Sequence, residues 1–534
     1  MNPYPVNADK KSLYRKVGTA SAIMMASVFL SRIIGLLREM VIACVGGAGP
    51  AVDAYQIAFV IPEILNHILA TGFLSVTFIP IFSGYLSADR EDEGWIVLSV
   101  IHNTFGAVLI VFIAGAVICA PFLVDLLAPG ICDPAVRSGA VRMTRIILPA
   151  QFFFFSGGLF MAVQFAREKF FIPALAPLVY NAGIIAGGIC LGPWLGMEGF
   201  SWGVLAGAFV GNFVLQYRGG TLCGMHLSAR FDLRHRELKK YVWLTLPLMF
   251  GLTMTFSTEI FFKYFGSYLP AGSIAGLNYG MRIMMMMVGL FGQAVGVASF
   301  PFMAGLAAQN KITEMNRLLN TTLRYLALVI PFSVLLIVLR HEVVLLIFQR
   351  GQFDAAATGL TSSILGYLMI GAFGFAAQTV VVRGFYALQN TLLPAVFGTF
   401  AVGLSIPLYI YGMKMMGAAG VALAISLSAV LQVLLLYGIW NRRSRNPQSR
   451  EVCLFYVKTA LLSLLLWLVL KGVRHMLLIR IDADTFMGCL AISAITAAVF
   501  AGLFLAIGYG LPIREIPEFV NRLLRRKSEG TKKN

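Results

Sequence analysis

Three arginines inside otherwise apolar stretches are the first residues of this sequence that could do chemistry. The segment SRIIGLLREM carries Arg32, Arg38 and Glu39, and LNYGMRIMMMM carries Arg282. Arginine keeps its charge at any physiological pH, and its planar fork pairs with phosphate through two parallel hydrogen bonds. The chemistry open to these residues is recognition of an anionic group. At about 100° per residue Arg32 and Glu39 share a helix face, with Arg38 about 120° away. Gly35 between them allows a bend that turns both guanidinium groups inward. The competing reading is an Arg38–Glu39 or interhelical ion pair that holds a bundle together. Arg282 has no acidic residue within twenty positions, so its counter-charge comes from another helix or from a ligand.

A second constellation is uncharged for the most part. Glu63, Asn66 and His67 fall at i, i+3 and i+4, with Thr71 one turn on, and form a single polar stripe. It suits the wall of a water-filled cavity or an interhelical hydrogen-bond seam. Asp53 opens the same segment, where it also suits a helix cap. Glu259 and Lys263, four apart, read as a self-paired couple, and Arg383 sits close enough to a helix end to snorkel. The six histidines are dispersed and the seven cysteines show no CxxC spacing. No HExxH, P-loop or GxSxG pattern occurs. Neither a metal nor a cofactor is expected, nor catalysis.

The elements that must position these residues follow from composition. The chain has 534 residues, 58% hydrophobic and 12% charged, with a mean hydropathy of +0.81. A soluble domain carries about 25% charged residues, so this chain lacks the charge to coat a water-facing surface. Its long continuous apolar runs exclude an outer-membrane barrel, whose strands alternate apolar and polar residues. The sequence predicts an all-α polytopic membrane protein.

Fourteen transmembrane helices are predicted, at 17–45, 53–86, 95–127, 137–165, 170–192, 198–217, 241–265, 271–303, 318–339, 357–386, 391–413, 417–439, 453–470 and 487–510. A charge at the centre of such a span costs about 2.5–3.5 kcal/mol, so Arg32, Arg38 and Arg282 are functional candidates by position. The formal net charge is +18. With the N-terminus inside, 27 Lys and Arg fall on the cytoplasmic side, 9 on the far side and six within spans. That bias predicts both termini in the cytoplasm. The basic tail from Arg522 to Lys533 reads as an orientation signal that touches anionic lipid; nucleic acid is not an expected partner.

Sliding the chain against itself yields a match at an offset of 221. Pro80, Gly84, Gly130, Asp133, Pro173, Gly196 and Gly199 pair with Pro301, Gly305, Gly351, Asp354, Pro394, Gly417 and Gly420. Gly and Pro mark special backbone geometry, so seven pairs in one register indicate a repeat of six spans. Six is even, which makes the repeat parallel, as in transporters that rock two lobes about a central site. The organisation expected is an N-terminal lobe at 1–217, a basic cytoplasmic loop at 218–240 and a C-terminal lobe at 241–439. A second basic loop at 440–452, two extra helices at 453–510 and a basic tail at 511–534 complete it.

Several segments resemble the MurJ (MviN) family of lipid II flippases. They are SRIIGLLRE at 31–39, GAGPAVDAYQIAF at 47–59, LPAGSIAGLNYGMRI around Arg282, LLIFQRGQFDAAAT at 345–358 and GFYALQNTLLP at 384–394. The resemblance implies two six-helix lobes plus a final pair of helices forming a lipid-facing groove. It places the family's essential span-1 arginines on Arg32 and Arg38 and its span-8 arginine on Arg282. Glu39 stands where the family has Asp, and Asp53 matches the family's Asp at the start of span 2. Asn66 and His67 stand where adjacent basic residues are usual, Thr71 where an acidic one is, and Met281 where Asp is. The acidic span-11 residue through which some members bind sodium has no counterpart in 391–413.

The function so implied is movement of an undecaprenyl-diphosphate-linked sugar-peptide, lipid II, to the outer leaflet of the bacterial inner membrane. The implied route is alternating access through a basic central cavity. The diphosphate would sit on Arg32, Arg38 and Arg282, and Glu39, Asp53, Glu63, Asn66 and His67 would line the site. Implied partners are lipid II, membrane lipids and other cell-wall synthesis proteins. The alternative is a flippase for another polyprenyl-diphosphate-linked glycan, such as an exopolysaccharide or O-antigen unit. A drug or cation antiporter would favour buried carboxylates over arginines.

Overall fold

The computed structural model describes residues 6–69, 78–251 and 253–510. Within them every regular element is helical: twenty-two α-helices and two π-helical segments, with no strand. Among the described residues ten helices are long and apolar enough to cross a membrane, and the chain is a multi-pass membrane protein. One of the ten, Leu392–Ser444, bends at Gly417 and carries two of the expected spans. Three expected spans are not among the ten. The first holds Arg32, Arg38 and Glu39, the second is broken into short helices, and the seventh passes through residue 252. Thr71, residue 252 and the basic tail lie outside the described residues.

The chain divides into two compact units. The first runs through Ala275 and takes in Arg350–Phe353. It contains α1 (Val6–Gly46), α2 (Pro50–Ala58), α3 (Val60–Leu69), α4 (Ile79–Ser87), α5 (Glu91–Ile118), α6 (Ala120–Leu127), α7 (Pro134–Ile147), α8 (Ala150–Ala166) and α9 (Phe171–Leu195). Then come α10 (Glu198–Ala208), a π-helical segment (Phe209–Val214), α11 (Leu215–Leu222), α12 (Arg236–Gly251), α13 (Thr253–Gly266) and the start of α14 (Ser273–Val288). Its core is aromatic, with Phe78, Phe82, Trp95, Phe155 and Phe160 buried together. Helices α9 and α10 meet along glycines: a Cβ added to Gly183 would lie 2.5 Å from the Cα of Gly207. Between apolar helices in lipid the hydrophobic effect gives little drive, so small residues that admit close van der Waals contact set the seam.

The second unit holds Gly276–Gln349 and the described chain from Asp354 onward. After α14 and a π-helical segment (Gly289–Gln293) it comprises α15 (Ala294–Ala308), α16 (Ile312–Leu326), α17 (Val329–Val338), α18 (Arg340–Phe348) and α19 (Ala355–Ala387). The long α20 (Leu392–Ser444), α21 (Ser449–Leu478) and α22 (Phe486–Gly510) follow. Phe332 of α17 packs its ring edge-on against Phe500 and Phe504 of α22. A polar knot ties α16 to the end of α20: Trp440 Nε1 donates to Asn316 Oδ1 at 2.8 Å, and Tyr437 Oη to Asn320 Oδ1 at 2.9 Å.

The repeat is also recorded in the backbone, in three of four pairs at residues whose types do not match. Asp89 and Asn310, Glu168 and Gln389, Gly196 and Gly417, and Gly224 and Arg445 all adopt positive φ, each pair 221 apart. Three of the pairs end a helix with the same 6→1 hydrogen bond. Arg90 N to Tyr85 O recurs as Lys311 N to Leu306 O, and Lys169 N to Gln164 O as Asn390 N to Phe385 O. Met225 N to Gly220 O recurs as Asn446 N to Asn441 O. This bond closes a left-handed helix end and satisfies a terminal carbonyl. The paired Asp133 and Asp354 both cap helix starts through their side chains.

Candidate functional site

Helix α1 is held against α9 by polar ties as well as apolar packing. Ser27 Oγ donates to Ala174 O at 2.5 Å. Three turns on, Arg38 Nη2 donates to Glu39 Oε1 at 2.6 Å and Nη1 to Asn181 Oδ1 at 3.0 Å. The Arg38 side chain keeps 18% of its surface exposed, against 4% for Glu39. Tyr55 of α2 and Tyr180 of α9 lie within electrostatic reach of Arg38, and Tyr180 within reach of Glu63 on α3. The first unit thus gathers an arginine, two carboxylates, an amide and two phenols from four helices. Such a set can bind an anion on the cation and offer hydrogen bonds around it.

The other candidates fall in different places. Arg32 lies on the exposed side of α1 and Glu63 is half-buried. Asn66 and His67 belong to α3, but their side chains lie outside the described residues. Arg282 is half-buried on α14 in the second unit. Asp53 has a different occupation from cavity lining. It is 6% exposed, and its Oδ2 and Oδ1 accept the backbone amides of Gly272 at 2.6 Å and Ala275 at 2.7 Å. A carboxylate there satisfies the orphan amides at the start of α14 and meets the positive end of its dipole.

Asn181 is the site residue that the charge-led reading passed over. It is a side-chain amide inside an apolar helix, and polar residues in such helices face protein rather than lipid. That signal was present in LVYNAGII but weaker than a charge. The described residues contain no cluster of His, Cys, Asp and Glu that could hold a metal ion.

A family model described as lipid II flippase MurJ matches residues 42–487. The chain belongs to this family. Among curated MurJ relatives, the lipid II flippase MurJ of Burkholderia cenocepacia is 26% identical over 93% of this chain and 98% of its own length. A probable lipid II flippase MurJ of Buchnera aphidicola is 27% identical over 77% of this chain and 80% of that one. A solved MurJ in an inward closed conformation superimposes with a TM-score of 0.73 at 23% identity, over 90% of this chain and 98% of the other. A multidrug resistance MATE transporter of the MOP superfamily, inward-facing, reaches 0.64 at 14% identity, over 78% and 94%. At these identities the superpositions speak for the fold. The MurJ model match begins after Arg38, so the α1 site rests on its own geometry.

Proposed function

We propose that this protein is a lipid II flippase of the bacterial inner membrane, a transporter and not an enzyme. Its substrate is the undecaprenyl-diphosphate-linked sugar-peptide, carried from the inner to the outer leaflet. The observation that carries the mechanism is Arg38, a partly exposed guanidinium in a largely apolar helix, offset by one carboxylate and one neutral amide. A diphosphate can accept from the guanidinium N–H groups that Glu39 and Asn181 do not occupy, and arginine binds it without changing protonation. We assign Arg32 and Arg282 to the same substrate, with Glu63, Asn66 and His67 around its sugar. Asp53 is left out, because both its oxygens are engaged by α14. Fourteen spans, two six-helix lobes in parallel repeat and cytoplasmic termini complete the reading, with rocking of the lobes alternating access.

The test is complementation in a bacterium depleted of its resident lipid II flippase. Rescue by the wild type, with failure of Arg38→Ala and Arg282→Ala at equal membrane abundance, is the expected result. Absence of rescue in two unrelated hosts overturns lipid II as substrate. A second reading draws on Asn66 and His67, which replace the adjacent basic residues usual in the family. It is a flippase for another polyprenyl-diphosphate-linked glycan, and transport of such a lipid by reconstituted protein that leaves lipid II behind would select it.

A further inference from the structure

We infer that residues 225–235, in the irregular link between α11 and α12, form a strap that anchors the first unit to an anionic lipid surface, with Phe231 and Leu233 seated at the headgroup boundary. The link is not a free loop, because it is stitched along α5. Ser228 N donates to Ser99 Oγ at 3.0 Å, and Asp232 N to Thr104 Oγ1 at 3.3 Å. Between them Asn103 Nδ2 donates to Ser228 O at 2.7 Å and to Arg230 O at 3.1 Å. His102 Nδ1 lies 3.1 Å from Asn103 Oδ1, and an amide oxygen only accepts, so the ring donates there. Both N–H groups and the oxygen of Asn103 are therefore engaged, and the strap has a fixed course.

That course lies at the edge of the lipid. Helix α5 is one of the candidate spans, with 28 residues. It is about 42 Å long, against a hydrocarbon core of about 30 Å. Glu91, Asp92 and Glu93 fill its first turn, so the excess of about eight residues falls at that end. Ser99, Asn103 and Thr104 then stand where headgroups give way to hydrocarbon, and they hold the strap at that level. Non-helical backbone this close to lipid needs partners for its polar groups, and these three side chains supply them.

What the strap displays decides its partner. Phe231 is 68% exposed and Leu233 73%. Arg230, Arg234, Arg236, Lys239 and Lys240 are exposed around them. The acidic residues of the stretch are Asp232 and Glu237, and both are engaged locally. Asp232 Oδ1 accepts the amide of Arg234 at 2.8 Å, and Glu237 Oε2 lies 3.7 Å from Lys240 Nζ. Large apolar side chains set among cations are the make-up of segments that lie in a membrane interface. The apolar pair enters the acyl boundary while the long basic side chains reach back to the phosphates.

The experiment places the photo-crosslinker p-benzoylphenylalanine at position 231, 233 or 92 of the full chain, in nanodiscs of phosphatidylglycerol and phosphatidylcholine in equal amounts. Irradiation is followed by intact mass measurement. Lipid adducts are expected at 231 and 233, and far fewer at 92, an exposed position in the first turn of α5. Phosphatidylglycerol is expected in severalfold excess among the adducts, and Arg230→Gln with Arg234→Gln is expected to lower that excess. Asn103→Leu, which takes both donors from the strap, is expected to cut the adduct yield at 231 severalfold. Ser99→Ala with Thr104→Val, which nearly keeps the packing volume, replaces it if it fails to fold. No adduct at 231 and 233, or adducts to protein in place of lipid, overturns the anchor, and so does an equal lipid yield at 92. Lipids captured at their mixing ratio overturn the anionic partner, and a yield unmoved by the α5 variants overturns the part given to α5.

Discussion

The amide of Gln352 donates to the carbonyl of Cys44 at 2.8 Å, tying a short loop from the second half of the sequence to the last turns of α1. The fit is tight on both sides. Gly351 has φ +60°, and a Cβ there would collide with the Cys44 carbonyl; a Cβ on Gly47 would lie 2.5 Å from Gln352 O. The helix that carries Arg38 is therefore anchored at its end by residues more than 300 positions away.

Gly351→Ala should loosen this anchor. The left-handed backbone costs an alanine about 1–3 kcal/mol, and the collision forces the strap off α1. A lowered unfolding temperature of the purified protein is expected, with faster amide exchange at Gln352. Unchanged exchange there would refute the anchor.

Asp53 should prove structural rather than substrate-binding. Asp53→Asn keeps the shape but turns one acceptor into a donor facing a backbone amide. A loss of about 1.5–3 kcal/mol follows, the scale of a hydrogen bond to a charged group. Amide exchange at Gly272 and Ala275 should speed up, while affinity for undecaprenyl diphosphate per folded molecule stays at the wild-type value. A selective drop in affinity with unchanged exchange would return Asp53 to the site.

Glu342 and Arg474 join α18 to α21 through a 2.6 Å ion pair in which the Glu342 side chain is fully buried. Removing one partner strands a charge, so Glu342→Leu should destabilise by about 3 kcal/mol. The double change Glu342→Leu with Arg474→Met should recover most of that, because the pair's attraction is largely offset by its desolvation. Thermal denaturation of the three proteins in detergent gives the comparison. A double variant no better than the single would mean the pair is worth more than its burial costs.

Gly196 isolates backbone strain from packing. Its φ is +56°, and an added Cβ would meet nothing within 4 Å. Gly196→Ala should thus cost only the strain of that conformation, about 1–3 kcal/mol. Gly188→Ala, where a Cβ would strike the ring of Phe200, should cost more. Equal unfolding temperatures for the two variants would contradict this.

Most of the architecture is legible in the chain itself. Membrane insertion follows from apolar run length, because lipid offers backbone groups no partner outside a helix. The repeat is legible where Gly and Pro report special backbone, as at Gly196 and Gly417. It is silent at Glu168 and Gln389, and at Arg445 opposite Gly224, where a helix end imposes the left-handed turn on ordinary residues. Arg38 stood out because a charge in an apolar helix is costly wherever that helix packs. Only the tertiary structure decided what surrounds it. Asn181 is 143 positions from Arg38 and Gly272 is 219 from Asp53, and which distant helix supplies an acceptor or an amide depends on how helices pack. A local pattern cannot encode that, because a short polar side chain costs too little in an apolar helix to mark its partner in advance.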